Sequence, residues 1–331
     1  MLKEKNNAFY RRTIKTLCKT VIGYRKNMCK NVIKMVRESL QTLGFEAEGD
    51  IDVLNEDTFS YRIKMKKSSA SYKINIFVKG SYANNTNVRQ NSDVDIAVVR
   101  EDVFYTEFRT GVSRESYNFT QANESFFVYK DEVEEALKQK FGSTEVQRGN
   151  KAIRINGNTY RKEADCVPCL RYRDYQKDFS FNTENYVGGV KIFSDKGEKI
   201  INYPEQHIDK GVIKNKNTSY NYKKMVRIMK EMRYQLIEQE NKNAKNTSSF
   251  GVEGLIWNVP NSYFTKYSSY GFIFEELINY LERNLCDIIY FKEANGILNL
   301  CNTSEKINIY QQFVRDLGKY FNYKYGGSNG A

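Results

Sequence analysis

Asp93 and Asp95 stand two residues apart in Asp93-Val94-Asp95-Ile96-Ala97-Val98-Val99, a short loop after Lys79-Gly80-Ser81. On a strand, residues i and i+2 project from the same face. Two carboxylates so placed repel each other, and a divalent cation, or a pair of them, is the natural counter-charge. Gly80 lets the backbone approach a phosphate closely. The amides of that turn, with the Ser81 hydroxyl, supply donors for β- and γ-phosphates. A lone Gly-Ser is nearly uninformative, but its place between a buried strand and an acidic strand is specific. The combination implies metal-dependent transfer from a nucleoside triphosphate.

Asp165 lies on a later strand-like run and could pair beside the first two. Three carboxylates from two strands suit two Mg²⁺ ions, with Mn²⁺ as a substitute. In that scheme one ion activates the attacking hydroxyl and the other stabilises the leaving pyrophosphate. Asp165 would sit near the hydroxyl and help take its proton. Alone, Asp165 would read as a strand-end surface carboxylate; the upstream pair favours the functional reading.

These residues need elements to hold them. Residues 72–79 alternate, with Ile74, Ile76 and Val78 on one side, and read as a strand entering Gly80-Ser81. Residues 94–99 form the next strand, with Val94, Ile96 and Val98 facing the core and the two aspartates facing away. Residues 8–43 read as one long helix, with Ile14, Leu17, Val21, Met28, Val32, Val36, Leu40 and Leu43 at helical spacing and Gly44 as its stop. Residues 131–141 read as a short helix. Ala152 to Ile155 and Thr159 to Val167 flank Asn156-Gly157, a hairpin signal that puts Asp165 on its second arm. A further hairpin spans about 186–203, turning at Asp195-Lys196-Gly197.

After about residue 215 the pattern becomes helical. Residues 220–240 are amphipathic, a polar loop follows at 241–247, and helices are expected near 249–258, 271–283 and 304–322. On the 220–240 helix, Lys223, Arg227 and Lys230 share a face by their i, i+4, i+7 spacing. Such a stripe could clamp a triphosphate, although most lysine-rich stripes are simply solvated. Ser248 reads as an N-cap. Ser249 could contact a phosphate, and Phe250 could stack on a base or fill a core.

The 331 residues suit one large domain or two modest ones. The net charge of +12 fits polyanionic partners, though a Lys-rich composition alone often gives such a value. No apolar run is long enough for a membrane span, and the N-terminus lacks a signal core, so a cytoplasmic protein without membrane contact is expected. The six cysteines are scattered and His207 is the sole histidine. Cys166-Val167-Pro168-Cys169 therefore reads as two packed thiols rather than a zinc or redox site.

Gly80-Ser81, Asp93-Val94-Asp95 and Asp165 together resemble the polymerase-β-like nucleotidyltransferases. Tyr203-Pro204-Glu205-Gln206-His207, Lys214-Asn215, Tyr222 to Lys230, and Ser248-Ser249-Phe250 leading to Trp257-Asn258-Val259-Pro260 narrow this. They resemble the bacterial cGAS/DncV-like nucleotidyltransferases, most of all clade E. The resemblance implies an α+β fold. A nucleotidyltransferase lobe (1–215) would hold a mixed sheet, its flanking helices and the long bracing N-terminal helix. A helical lobe (216–325) would close over the nucleotide, followed by a mobile tail (326–331). It implies that Lys230 and Ser249 contact the donor triphosphate, with Arg227 a neighbouring basic position and Phe250 a base-stacking aromatic. The activity implied is synthesis of a cyclic di- or trinucleotide second messenger from ribonucleoside triphosphates, in anti-phage signalling. The downstream effector would bind the product rather than the enzyme, and a monomer is expected. The animal sensor's Cys/His zinc insertion has no counterpart here, so no DNA activator is expected. Two alternatives remain at this stage: a template-independent transferase acting on RNA, protein or a small molecule, and an inactive binding module.

Overall fold

The computed structural model describes residues 22–68, 71–88 and 93–325. The expected helical segment 8–21, the loop at 89–92 and the tail 326–331 lie outside the described residues. The chain divides into two compact units. One comprises the described residues of 22–83 and 91–208, the other those of 84–90 and 209–325.

The first unit is built on a mixed sheet of ten strands. In chain order it contains α1 (Ile22–Gln41), β1 (Phe45–Ala47), β2 (Asp52–Val53), β3 (Tyr61–Lys67), β4 (Lys73–Lys79) and a single helical turn, α2 (Gly80–Ala83). There follow β5 (Val94–Glu107), α3 (Phe126–Phe141), β6 (Val146–Arg148), β7 (Ile153–Ile155), β8 (Ala164–Asp174), β9 (Val187–Phe193) and β10 (Lys199–Asn202). The order across the sheet is β1-β3-β4-β5-β8-β7-β6, with β2 on β3 and the β9–β10 hairpin on β8. Only the β5–β8 pair is parallel among the described ladders, and α3 lies in the connection between them, as a parallel crossover requires.

The helical spacing in α1 has the expected result: Cys29, Val32, Ile33, Val36 and Leu40 are all buried. They share a core with Val133 and Leu137 of α3 and with Ile74, Ile76, Val78, Val94, Ile96 and Val98 of the sheet. Gly44 ends the segment with a φ of 82°, which glycine adopts without strain. The opposite sheet face carries a second, smaller core of Phe77, Ala97, Val99, Val167, Cys169, Val190 and Ile192. The central strands are therefore covered on both faces, which the alternating reading of 94–99 did not anticipate. Cys166 belongs to the first core and Cys169 to the second, so the two thiols pack on opposite faces and stay free. Burial raises both thiols, Cys169 to about 12.

Two local expectations change. The helix read at 131–141 begins at Phe126, where the Ser125 hydroxyl accepts from the Phe127 amide. Asn156-Gly157 does not make a two-residue turn. Register pairs Ile155 with Ala164, leaving an eight-residue loop, and Gly157 does not adopt the positive φ that such a turn needs. Asp165 nevertheless lies on the arm expected of it. The hairpin at Gly197 forms as read, with a φ of 86°.

The second unit is helical: α5 (Tyr222–Glu238), α6 (Lys242–Asn246), α7 (Ser249–Trp257), α8 (Tyr270–Arg283) and α9 (Ser304–Tyr325). The chain enters it inside α4 (Pro204–Asn217). Met225, Val226, Met229 and Met232 of α5 pack with Leu255 and Ile256, Phe274 and Leu277, and Phe313 and Leu317. The Ser248 hydroxyl caps α7 by accepting from the Gly251 amide at 2.9 Å, as read. The polar loop at 241–247 contains the short helix α6, capped by Asn241.

Candidate active site

Gly80 follows β4 and opens α2. Its φ of 69° lies in the left-handed region, and a Cβ built on it would stand 2.9 Å from Asp95 Cγ, nearer still to the carboxylate oxygen. Glycine is therefore required twice, for conformation and for room. Across the ladder Lys79 pairs with Asp95, and the Lys79 ammonium lies 3.6 Å from Asp95 Oδ1. Asp95 in turn is the register partner of Asp165 on the parallel strand β8. Asp93 immediately precedes β5. Ser81 is half-buried on α2. The sequence-predicted Gly80, Ser81, Asp93, Asp95 and Asp165 are thus gathered at one end of β4, β5 and β8.

The electrostatics record the crowding. Burial raises the Asp165 carboxyl above its ordinary value, repulsion from Asp95 and Asp93 adds to this, and Arg154 and Lys79 oppose it. Among the described residues, no three Asp, Glu, His or Cys side chains are drawn closely enough together to hold an ion as they stand. The donor chemistry still fits a hard divalent cation: carboxylate oxygens from two adjacent strands whose repulsion a cation would relieve. Lys79 supplies part of that counter-charge. Sequence reading passed over it, although its place immediately before Gly80 and opposite an aspartate was the available signal.

The remaining predicted residues lie in the helical unit. Lys223, Arg227 and Lys230 do share a face of α5, but the face is covered, and each is at most 5% exposed. Arg227 Nη1 donates to the Asn85 carbonyl at 2.7 Å. The Lys230 ammonium is ion-paired with Glu253 of α7 and lies 3.3 Å from both the Thr86 carbonyl and hydroxyl. The Thr86 hydroxyl donates to the same Glu253 oxygen, Oε1, at 2.5 Å. The segment that follows the Gly-Ser turn is thereby fastened to α5 and α7. Glu253 and Thr86 were missed by sequence reading; an acidic residue inside the apolar run Val252–Ile256 was the clue. Ser249 Oγ lies 3.4 Å from Arg233 Nη1 and 3.2 Å from the Tyr234 hydroxyl. Phe250, 41% exposed, is not a core residue. Asn182 and Asn185 serve the loop around Asp178: the Asn182 backbone amide and the Asn185 side chain both donate to its carboxylate.

A mixed sheet with carboxylates opposed across a parallel strand pair, entered through a Gly-Ser turn, is the architecture of a polymerase-β-like nucleotidyltransferase, and residues 62–148 match the nucleotidyltransferase domain model. Residues 209–322 match the model of the cGAS/DncV-like nucleotidyltransferase C-terminal helical domain. Cyclic GMP-AMP synthase CdnE03 of Staphylococcus schleiferi is 56% identical over 315 residues, covering 95% of this chain and 97% of its own. Cyclic nucleotide synthase CdnE01 of Staphylococcus haemolyticus is 35% identical, covering 75% of this chain and 85% of its own. The solved CdnE cyclic dinucleotide synthase of Elizabethkingia meningoseptica, with GTP and Apcpp, superposes with a TM-score of 0.70 at 29% identity, over 95% of this chain and 98% of that one. The chain belongs to the cGAS/DncV-like nucleotidyltransferases and is most like the CdnE enzymes among them.

Proposed function

We propose that this nucleotidyltransferase joins GTP and ATP into cyclic GMP-AMP with release of two pyrophosphates. The observation that carries the chemistry is the register of Asp95 with Asp165 across a parallel strand pair, beside a glycine whose positive φ and contact with Asp95 leave no free room for a side chain. The choice of bases is supported by the 56% identity to a cyclic GMP-AMP synthase over nearly the whole chain. A hydroxyl oxygen of one nucleotide attacks the α-phosphorus of another, the bond to the bridging oxygen breaks, and pyrophosphate leaves. A second such transfer closes the ring.

Asp93, Asp95 and Asp165 would hold two Mg²⁺ ions, which when bound supply Lewis-acid activation of the hydroxyl and neutralise the leaving charge. Asp165, standing beside Asp95 across the parallel strand pair, is placed to receive the hydroxyl proton at a carboxylate oxygen. The open approach at Gly80 and the donors of Ser81 hold the phosphates, and Lys79 restrains the Asp95 carboxylate. In the helical unit the resemblance gives Lys230, Arg227 and Ser249 to phosphate. Lys230 and Arg227, at most 5% exposed and engaged by Glu253 and the Asn85 carbonyl, would have to release those partners to serve it. Phe250, by contrast, is exposed and is the base-stacking surface. The product is a second messenger made in the cytoplasm for anti-phage signalling, a role supported by family membership. No helix among the described residues is long and apolar enough to cross a membrane.

The test is incubation with all four labelled triphosphates and Mg²⁺, phosphatase treatment and mass spectrometry. A phosphatase-resistant species with the mass of cyclic GMP-AMP, absent for Asp93→Asn with Asp95→Asn, is expected. Label found only on added RNA or protein would sink the reading.

A further inference from the structure

The sheet unit contains a second concave site, remote from the acidic cluster. A cavity of about 680 Å³ opens at the far ends of β5 and β8. Glu101 lies six residues beyond Asp95 and Arg171 six beyond Asp165, so each keeps the same sheet face as its aspartate. Six strand residues span roughly 20 Å. Ala97, Val99, Val167 and Cys169 fill the interval as the second apolar core. A ligand in the cavity therefore touches none of the reacting atoms.

The floor of the cavity is built from buried polar groups. Arg171, 4% exposed, donates through Nε to Glu101 at 2.8 Å and through Nη1 to Glu205 at 2.7 Å. Asn75 is also 4% exposed and lines the cavity, yet its Oδ1 has no hydrogen-bond partner. Arg173 Nε is buried without a partner too, while its guanidinium lies 3.9 Å from the Phe104 ring centroid and 4.8 Å from that of Tyr186. Buried polar atoms are nearly always paired, so two orphans lining one cavity call for a bound group, with an acceptor oxygen for the Arg173 Nε–H and a hydroxyl donor for Asn75 Oδ1. The ladder itself gives way here. Its register jumps from Arg100–Leu170 to Phe104–Arg171, so residues 101–103 leave the β5–β8 pairing at the cavity wall. Such bulges commonly adjoin functional sites.

The charges decide what would bind. The acids of the wall are already ion-paired: Glu101 and Glu205 share Arg171, which leaves one negative charge over, Asp102 pairs with Arg100 at 3.0 Å, and Glu48 with Lys66 at 3.3 Å. Lys64, Lys73 and Arg173 make no ion pair among the described residues, and neither does Glu184. Lys64, Lys73 and Arg173 against Glu184 and the one acidic charge that Arg171 leaves over give a surplus of one positive charge, and the orphan Arg173 Nε–H asks for an oxygen acceptor.

We propose that this cavity is a second ligand site, for a small molecule carrying one or more oxyanion groups, held by Lys64, Lys73 and Arg173 above Asn75. Carboxylates and phosphate esters share that chemistry. Isothermal titration of the purified protein, in metal-free buffer, uses propane-1,2,3-tricarboxylate in one arm and glycerol 2-phosphate in the other. One saturable site is expected in at least one arm, with a Kd of roughly 1 mM or below. The tighter arm identifies the anion class. Lys64→Ala with Lys73→Ala should weaken binding at least about tenfold, since each lost charged contact is worth about that much. Both lysines are exposed, so folding is not at issue, and Asn75→Asp should abolish binding by adding negative charge to the floor. Asp93→Asn with Asp95→Asn should bind as the wild type does. Binding is read directly, so the outcome stands apart from the synthase reading. No saturable heat from either anion would overturn the proposal. So would unchanged affinity in the two-lysine variant, or loss of binding in the aspartate variant, which would place the anion at the acidic cluster.

Discussion

Replacing Gly80 with alanine isolates the most constrained point of the candidate active site. Two penalties act there. An L-residue at a φ of 69° costs about 1–2 kcal/mol of backbone strain. The new Cβ would stand 2.9 Å from Asp95 Cγ, whereas carbon atoms prefer about 3.5–4.0 Å. Asp95 must therefore retreat by roughly 1 Å, or the turn must open by as much, and a misplacement of that size costs on the order of 100-fold in rate. Gly197 supplies the control. Its φ is 86°, but nothing lies within 4 Å of its Cβ position, so alanine there meets the strain without the collision. Gly197→Ala should lose about 1–2 kcal/mol in urea denaturation, and Gly80→Ala at least as much. Only Gly80→Ala should lose turnover, by about 100-fold in a pyrophosphate-release assay. Turnover of Gly80→Ala within threefold of wild type, or an equal loss in Gly197→Ala, would refute the argument that this glycine sets the position of Asp95.

Glu253→Gln should destabilise the protein by about 3 kcal/mol in urea denaturation, because it leaves the buried Lys230 charge without its partner. Changing both residues together, Lys230→Met with Glu253→Leu, should recover most of that loss. Lys214 gives a pH prediction. Burial lowers its ammonium to about 8, and the Val259 carbonyl and Asn261 Oδ1 accept its hydrogen bonds. The unfolded chain, with lysine at about 10.4, binds the extra proton between these values, so this contribution to stability rises as pH increases from about 8 toward 10.4. Wild type should gain stability relative to Lys214→Met over that interval; parallel pH profiles of the two proteins would contradict it.

The acidic site was legible because its geometry is local. Gly80-Ser81 and Asp93-Val94-Asp95 lie on consecutive elements, and period-2 alternation fixes the side on which each aspartate stands. Asp165 needed one non-local step, the parallel pairing of β5 with β8, and the strand character of its surroundings supplied it. The hairpin signal at Asn156-Gly157 placed Asp165 on the correct arm for a partly wrong reason. The pairing exists, but the register of Ile155 with Ala164 sets the loop length, and the dipeptide makes no tight turn. Local turn chemistry yields when the buried side chains on both strands dictate another register.

The basic face of α5 was legible only in part. Spacing of i, i+4 and i+7 shows that Lys223, Arg227 and Lys230 share a face, but nothing local shows what covers it. The cover is the segment beginning at Asn85, 142 residues earlier than Arg227, and Glu253, 23 residues later than Lys230. A solvated lysine stripe and a buried ion-paired one look alike in sequence because the pattern counts charges, not their partners. The distinction matters for the chemistry. A buried ammonium already neutralised by Glu253 offers a triphosphate less than its full charge, so any phosphate drawn to Lys230 must share it with, or take it from, Glu253. The same contact ties Thr86, only five residues beyond Ser81, to α5 and α7. The chain leaving the Gly80-Ser81 turn is thus held by the very lysine that the resemblance assigns to the phosphate, and Lys230 has a structural duty before any nucleotide arrives.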